Sequence, residues 1–172
     1  MRFFTEARLF RPVEEPAPAD WETLSVRPIV QMVAARADAS AITASIVALD
    51  AADVDDMRAL AAVAKPGPVG ARSVLLGAYV GVRDADGRLV AMAGERFRLP
   101  GYTEVSAIAV HPDARRRGLA HALTVTLMRR ILARGDRPFL HVFPDNPAAA
   151  LYARWGFRER ARHRVVWRRP VA

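Results

Sequence analysis

From residue 44 onward the apolar positions fall into distinct rhythms. Residues 45–49 form a short apolar run ending at Asp50, and after it Val54, Met57, Ala61 and Ala64 recur at spacings of three and four. This predicts a strand and then an amphipathic helix, capped by Asp50 and stopped at Lys65-Pro66-Gly67. Residues 75–83 and 88–98 flank Asp84-Ala85-Asp86-Gly87, and Leu99-Pro100-Gly101 precedes a further apolar run at 103–110. These read as consecutive antiparallel strands, the last with the sparse polar alternation of a buried central strand. Between 118 and 134, Leu119, Leu123, Leu127 and Ile131 mark one helical stripe, with Gly135 at the C′ position and Arg129, Arg130 and Arg134 near the negative end. Residues 138–143 predict a buried strand, 147–155 a short helix closed by Gly156, and 157–167 a terminal strand.

The resulting order is β–α–β–β–β–α–β–α–β. Hairpins in the middle and crossover helices at the end imply a mixed α/β fold, with a mostly antiparallel central sheet flanked by helices. Residues 1–40 stand apart as an N-terminal segment, and 41–172 form the main domain. Residues 11–20 hold three prolines and read as an extended linker. Residues 24–33 have strand composition, although Pro28 confines them to an edge or a bend. Either that strand or the C-terminal one is expected to offer an edge to a second copy, which leaves a homodimer open.

Composition narrows the chemistry. The 172 residues include no cysteine, which excludes a thiolate nucleophile and any Cys-based metal centre. No apolar stretch is long enough to cross a bilayer, and an acid follows the opening Met-Arg-Phe-Phe-Thr too soon for a secretion signal, so a soluble cytoplasmic protein is expected. The net charge of +8 invites a nucleic-acid partner. Lys65 is the one lysine among 26 basic residues, and alanine is abundant, so the charge reads as a general arginine and alanine bias instead.

Residues 105–122, VSAIAVHPDARRRGLAHA, carry the chemistry. A buried strand ends at Pro112, and an arginine loop passes through Gly118 into an apolar helix. Backbone N–H groups in such a turn converge on one concavity, and the helix N-terminus adds partial positive charge, which suits a pyrophosphate. Gly118 and the small Ala120 let the main chain approach a ligand, while Arg115, Arg116 and Arg117 can add charge-assisted bonds. The spacing matches neither the dinucleotide fingerprint nor the P-loop.

Arg115-x-x-Gly118-x-Ala120, after a strand and Val110-His111-Pro112, resembles the R/Q-x-x-G-x-G/A signature of the GNAT superfamily of N-acetyltransferases. Ala148-x-x-Leu151-Tyr152-x-x-x-Gly156-Phe157 is similar to that family's second signature, and residues 42–167 follow its element order. The resemblance implies acetyl-CoA as co-substrate, lying where the 103–110 and 138–143 strands splay apart. The main chain of Ile108 and Val110 would pair with the pantetheine arm, and the amides of Arg115 to Ala120, Leu119 included, would hold the pyrophosphate. An N–H of the first strand would polarise the thioester carbonyl, and a primary amine, on a small molecule or a peptide, would attack it directly. Tyr152 matches the family's acid for the departing thiolate, with core packing as its bland alternative. Glu104 stands where some relatives carry the general base, with a solvated strand end as its alternative. The family's asparagine falls at Asp145 by spacing; Asn146 is one residue nearer the tyrosine and is the candidate pantetheine contact. A non-catalytic acyl-CoA-binding regulatory module is the second reading.

His111, His121, His141 and His163 show no ligand spacing, so no metal is expected; each reads as a turn, helix-surface or strand residue, with a place in the cleft as the alternative for His141. Arg158, Arg160, Arg162 and Arg164 alternate and are expected to share one face of the last strand.

Overall fold

The computed structural model describes residues 6–171. Eleven regular elements follow in chain order: β1 (Ala7–Arg11), β2 (Trp21–Val33), β3 (Val47–Leu49), α1 (Val54–Ala64), β4 (Tyr79–Arg83), β5 (Leu89–Leu99), β6 (Tyr102–Val110), α2 (Leu119–Ala133), β7 (Arg137–Val142), α3 (Ala148–Arg154) and β8 (Arg158–Pro170). From β3 onward the order is the expected one. The strands form one eight-stranded sheet, β1-β8-β2-β7-β6-β5-β4-β3, antiparallel throughout except for β6 against β7.

The sheet is covered on both faces. Leu119, Leu123, Leu127 and Ile131 of α2 pack on Val80, Val82, Val105 and Ala91, which buries the stripe read from the sequence. On the other face Met57 and Leu60 of α1 meet Leu49, Tyr79, Leu89 and Met92. A third cluster joins Val30, Met32, Leu140 and Val142 to Met128 and Phe157. The helix ends behave as their sequences dictate. Asp50 and Asp53 cap one another's backbone in a reciprocal box, and Lys65 ends α1 in the left-handed region at φ 52°. Arg134 and Arg129 do more than complement the α2 dipole. Arg134 pairs with the buried Glu95 at 2.9 Å, and Arg129 donates to the carbonyls of Asp38 and Ser40, tying the segment after β2 across the helix.

Three expectations change. Residues 75–83 are a strand only from Tyr79, because Ser73–Leu75 close a tight 3-10 turn and leave Leu75 and Leu76 exposed. β8 is not a sheet edge, since it runs between β1 and β2; β1 and β3 are the outer strands, and β2 is flanked on both sides only from Val30 to Val33. Pro28 is accommodated because β7 pairs with β2 only from Val30 to Val33, so at Pro28 the strand is hydrogen-bonded on one side alone. The alternation of β8 also breaks. Gln31 lies opposite Ala161 and Met32 opposite Glu159, so Arg160 is an extra, bulged residue and the four arginines do not share a face.

Gly94 lies opposite Tyr79, and a Cβ there would fall 2.3 Å from the tyrosine ring. Gly94→Ala is therefore expected to destabilise the chain by about 1–3 kcal/mol, the usual cost of overpacking a filled core. A lower denaturation midpoint at unchanged slope is the readout.

Candidate active site

The strands β6 and β7 pair only over Tyr102, Thr103 and Glu104 against Arg137, Pro138 and Phe139. Beyond these residues they diverge and open a cleft. Within β6, Met92 lies opposite Ala109 but Gly94 opposite Ser106, so β6 carries an extra residue at the bulge where Ala107 adopts φ 52°. The bulge reverses the alternation. Val105 joins the α2-side core, Ala107 and Ala109 join the α1-side core, and Ile108 and Val110 are carried half-buried against the α2 side.

After β6, His111 caps a short turn (Pro112–Ala114), and Arg116 and Gly118 both take positive φ, 61° and 73°. This winding delivers the chain into α2 with Gly118 at the N-cap position, no capping side chain and no acid in the first turn. Ala122 N–H is bonded to Gly118 O, which leaves the N–H groups of Leu119, Ala120 and His121 without helical partners. They border a cavity of about 520 Å³ lined by Val110, residues 114–116 and 118–121, by Leu151 of α3 and by Trp155 just past its end. A Cβ on Gly118 would meet nothing within 4 Å, so its φ rather than crowding demands glycine. The two sequence signatures thus line one cavity.

The remaining candidates sit as follows. Arg115 and Arg116 line the cavity; Arg117 is exposed and does not. Asn146 is exposed, and its Oδ1 accepts the N–H of Ala148, the first residue of α3, at 2.9 Å, while Asp145 takes a bond from Arg27. Tyr152 is half-buried, edge-on to Trp155 and Phe157 and packed against the third core cluster. Its hydroxyl makes no hydrogen bond among the described residues, and burial pushes the phenol up to about 12, so it stays protonated through the neutral range.

Glu104 is not a solvated strand end. It is 1% exposed, and Arg96 grips it with Nε to Oε2 and Nη2 to Oε1, both at 2.7 Å. His141 Nδ1 donates to Oε1, also at 2.7 Å. Burial alone would raise this carboxyl; the imidazole and guanidinium bonds outweigh it and hold it below its ordinary value. The chain of bonds continues. Gln31 Nε2 faces His141 Nε2 at 3.3 Å, and Arg160 Nη1 donates to Gln31 Oε1 at 2.7 Å. Because Val30, Met32, Leu140 and Val142 face α2 and α3, their alternating neighbours Gln31, Phe139 and His141 face the opposite side of the sheet. Phe10 of β1 stacks on His141 at 4.4 Å. The sequence reading missed Arg96, Gln31 and Phe10, and placed Arg160 only in a row of alternating arginines. Only Arg96 had a local signal, since the 99–101 turn folds it back opposite Glu104.

Among the described residues no group of three His, Asp or Glu side chains is gathered as a metal site. No helix there is long and apolar enough to cross a membrane.

A mixed α/β fold with an eight-stranded sheet, antiparallel except for β6 against β7, is shared with solved acetyltransferase structures. A family model described as FR47-like protein matches residues 79–167. A solved structure from Novosphingobium aromaticivorans, assigned to the acetyltransferases of the GNAT family, is 37% identical, with TM-score 0.89 over 97% of this chain and 75% of that one. The chain therefore belongs to the GNAT family. The ribosomal-protein-S18-alanine N-acetyltransferase from Escherichia coli shares the fold at 23% identity, with TM-score 0.60 over 74% of this chain and 94% of that one. A GCN5-related N-acetyltransferase from Kribbella flavida does so at 22% identity and TM-score 0.59, over 89% of this chain and 61% of its own length. No curated protein sequence matches the chain.

Proposed function

We propose that this chain transfers the acetyl group of acetyl-CoA to a primary amine. The observation that carries the reading is the uncapped α2 N-terminus opening on the cavity that Leu151 and Trp155 close. Three unpartnered N–H groups, the helix dipole, and Arg115 and Arg116 form a site for the diphosphate of coenzyme A. Acetyl-CoA supplies an activated acyl thioester that an amine attacks directly, so the protein needs no nucleophile of its own.

The chain's own residues then manage protons. An ammonium must lose a proton before it can attack, and the Glu104–His141 pair is the nearest acceptor that β6 and β7 offer. Glu104 alone is a weak base, since three hydrogen bonds already stabilise its charged form. We assign it the role of orienting His141 and balancing the charge that arrives there. Tyr152, held neutral by burial and free of other bonds, serves as proton donor to the departing thiolate.

Tyr152→Phe is accordingly expected to lower kcat by about a hundredfold or more, the usual contribution of a positioned acid. Coenzyme A affinity and thermal stability should hardly change, because the hydroxyl has no partner to lose. Thiol release across a panel of amines, with calorimetric titration of acetyl-CoA, tests the reading. Binding without release from any amine would leave an acyl-CoA-binding module, and no binding by folded protein would refute the proposal.

A further inference from the structure

The polar chain that starts at Glu104 ends in an unneutralised cation. Arg160 makes no ion pair among the described residues; its one hydrogen bond goes to a neutral amide oxygen, Gln31 Oε1, and its guanidinium lies 5.8 Å from the centre of the Tyr102 ring. Together with Gln31, Tyr102, Phe139 and Leu99 it lines a cavity of about 80 Å³. That is room for several water-sized groups, enough for the polar end of a small molecule. The bulge in β8 puts Arg160 there, and bulges commonly re-aim one side chain toward a site.

The charges around this cavity are few. Arg96 and Glu104 neutralise each other at 2.7 Å, and Glu159, the acid beside Arg160, is taken by Arg162. His163, nearby on β8, is discouraged from charging by burial and by His141 and Arg160. No unpaired carboxylate lines the cavity, so it lacks what a polycationic acceptor would need. An exposed guanidinium with free donors beside an apolar wall of Phe139 and Leu99 suits a planar, bidentate anion.

We infer that the acceptor is a small amino acid-like molecule whose carboxylate docks on Arg160, with Gln31 linking that anchor to His141. This rests on the acetyltransferase reading of the same site and adds the class of acceptor.

The test uses the full chain and amines in matched forms: a panel of free amino acids, their carboxamides, and the corresponding aminoalkyl phosphonates. The carboxylate form should exceed its carboxamide in kcat/KM by roughly tenfold or more, the scale of a charge-assisted bond. Arg160→Gln should collapse that ratio. Arg164→Gln removes the same charge from β8 outside the cavity and should leave the ratio intact. Equal use of carboxylate and carboxamide overturns the inference, as does a preference for the phosphonate or an equal loss of the ratio in both variants. Binding of the same pairs to the protein saturated with coenzyme A separates the two readings. A carboxylate preference that depends on Arg160, without thiol release, would remove the transferase reading and keep the anchor; thiol release without that preference would do the reverse.

Discussion

Ala120→Glu is expected to reduce coenzyme A affinity by at least about a hundredfold while leaving the fold as stable as before or slightly more so. The two effects come from the same field. Ala120 lies in the first turn of α2, where no acid or capping side chain stands now. A carboxylate at a helix N-terminus stabilises the helix by about 0.3–1 kcal/mol. It would also occupy the wall of the 520 Å³ cavity that we assign to the diphosphate, where bringing like charges together costs several kcal/mol. Calorimetric titration with coenzyme A and a melting curve measure both. Unchanged affinity would show that the diphosphate lies elsewhere, and a large drop in melting temperature would show that Ala120 was chosen for packing.

The second large effect is expected at Glu104. Glu104→Ala leaves the Arg96 guanidinium and the His141 N–H without their shared acceptor, in a place where Glu104 is 1% and His141 6% exposed. Removing one partner of a buried pair typically costs about 3–5 kcal/mol, and that is the loss expected here. Glu104→Gln, which keeps an oxygen for His141, should cost less yet still abolish most turnover if the pair takes the amine's proton. The pH dependence has a definite sign. The folded carboxyl lies below its ordinary value of 4.5, so its contribution is complete above that pH and is lost as the pH falls through the lower, folded value. Wild-type stability should therefore decline on the acid side of pH 4.5 more steeply than that of Glu104→Gln. Parallel curves from urea titrations between neutral and acid pH would contradict the assignment.

Local readings succeeded where an element answers to its own residues. The Leu119–Leu123–Leu127–Ile131 stripe, the Asp50 cap and the turns at Gly87 and Gly101 each depend on neighbours a few positions away. The splay of β6 and β7 was expected only from the family resemblance, and the pairing of the two strands over three residues shows it. Reading failed where one residue's position depends on a distant strand. Arg160 was grouped with its alternating neighbours, and only pairing with β2 across 129 positions bulges it out toward Gln31. For Glu104 a general base and a solvated strand end stood side by side, and only Arg96 and His141 converging from two other strands make it a buried acid with three hydrogen bonds.

The linear order of residues was sufficient for the class of fold, through short-range periodicity, capping and turn chemistry, and for the family, through its two signatures. The Glu104–His141 pair, its arginine clamp and the unpaired cation of Arg160 came into being when β1, β2, β5, β6, β7 and β8 were laid side by side. Hydrogen bonds between side chains more than a hundred residues apart, such as Gln31 with His141 and with Arg160, follow from strand register, and register is set by the packing of the whole sheet.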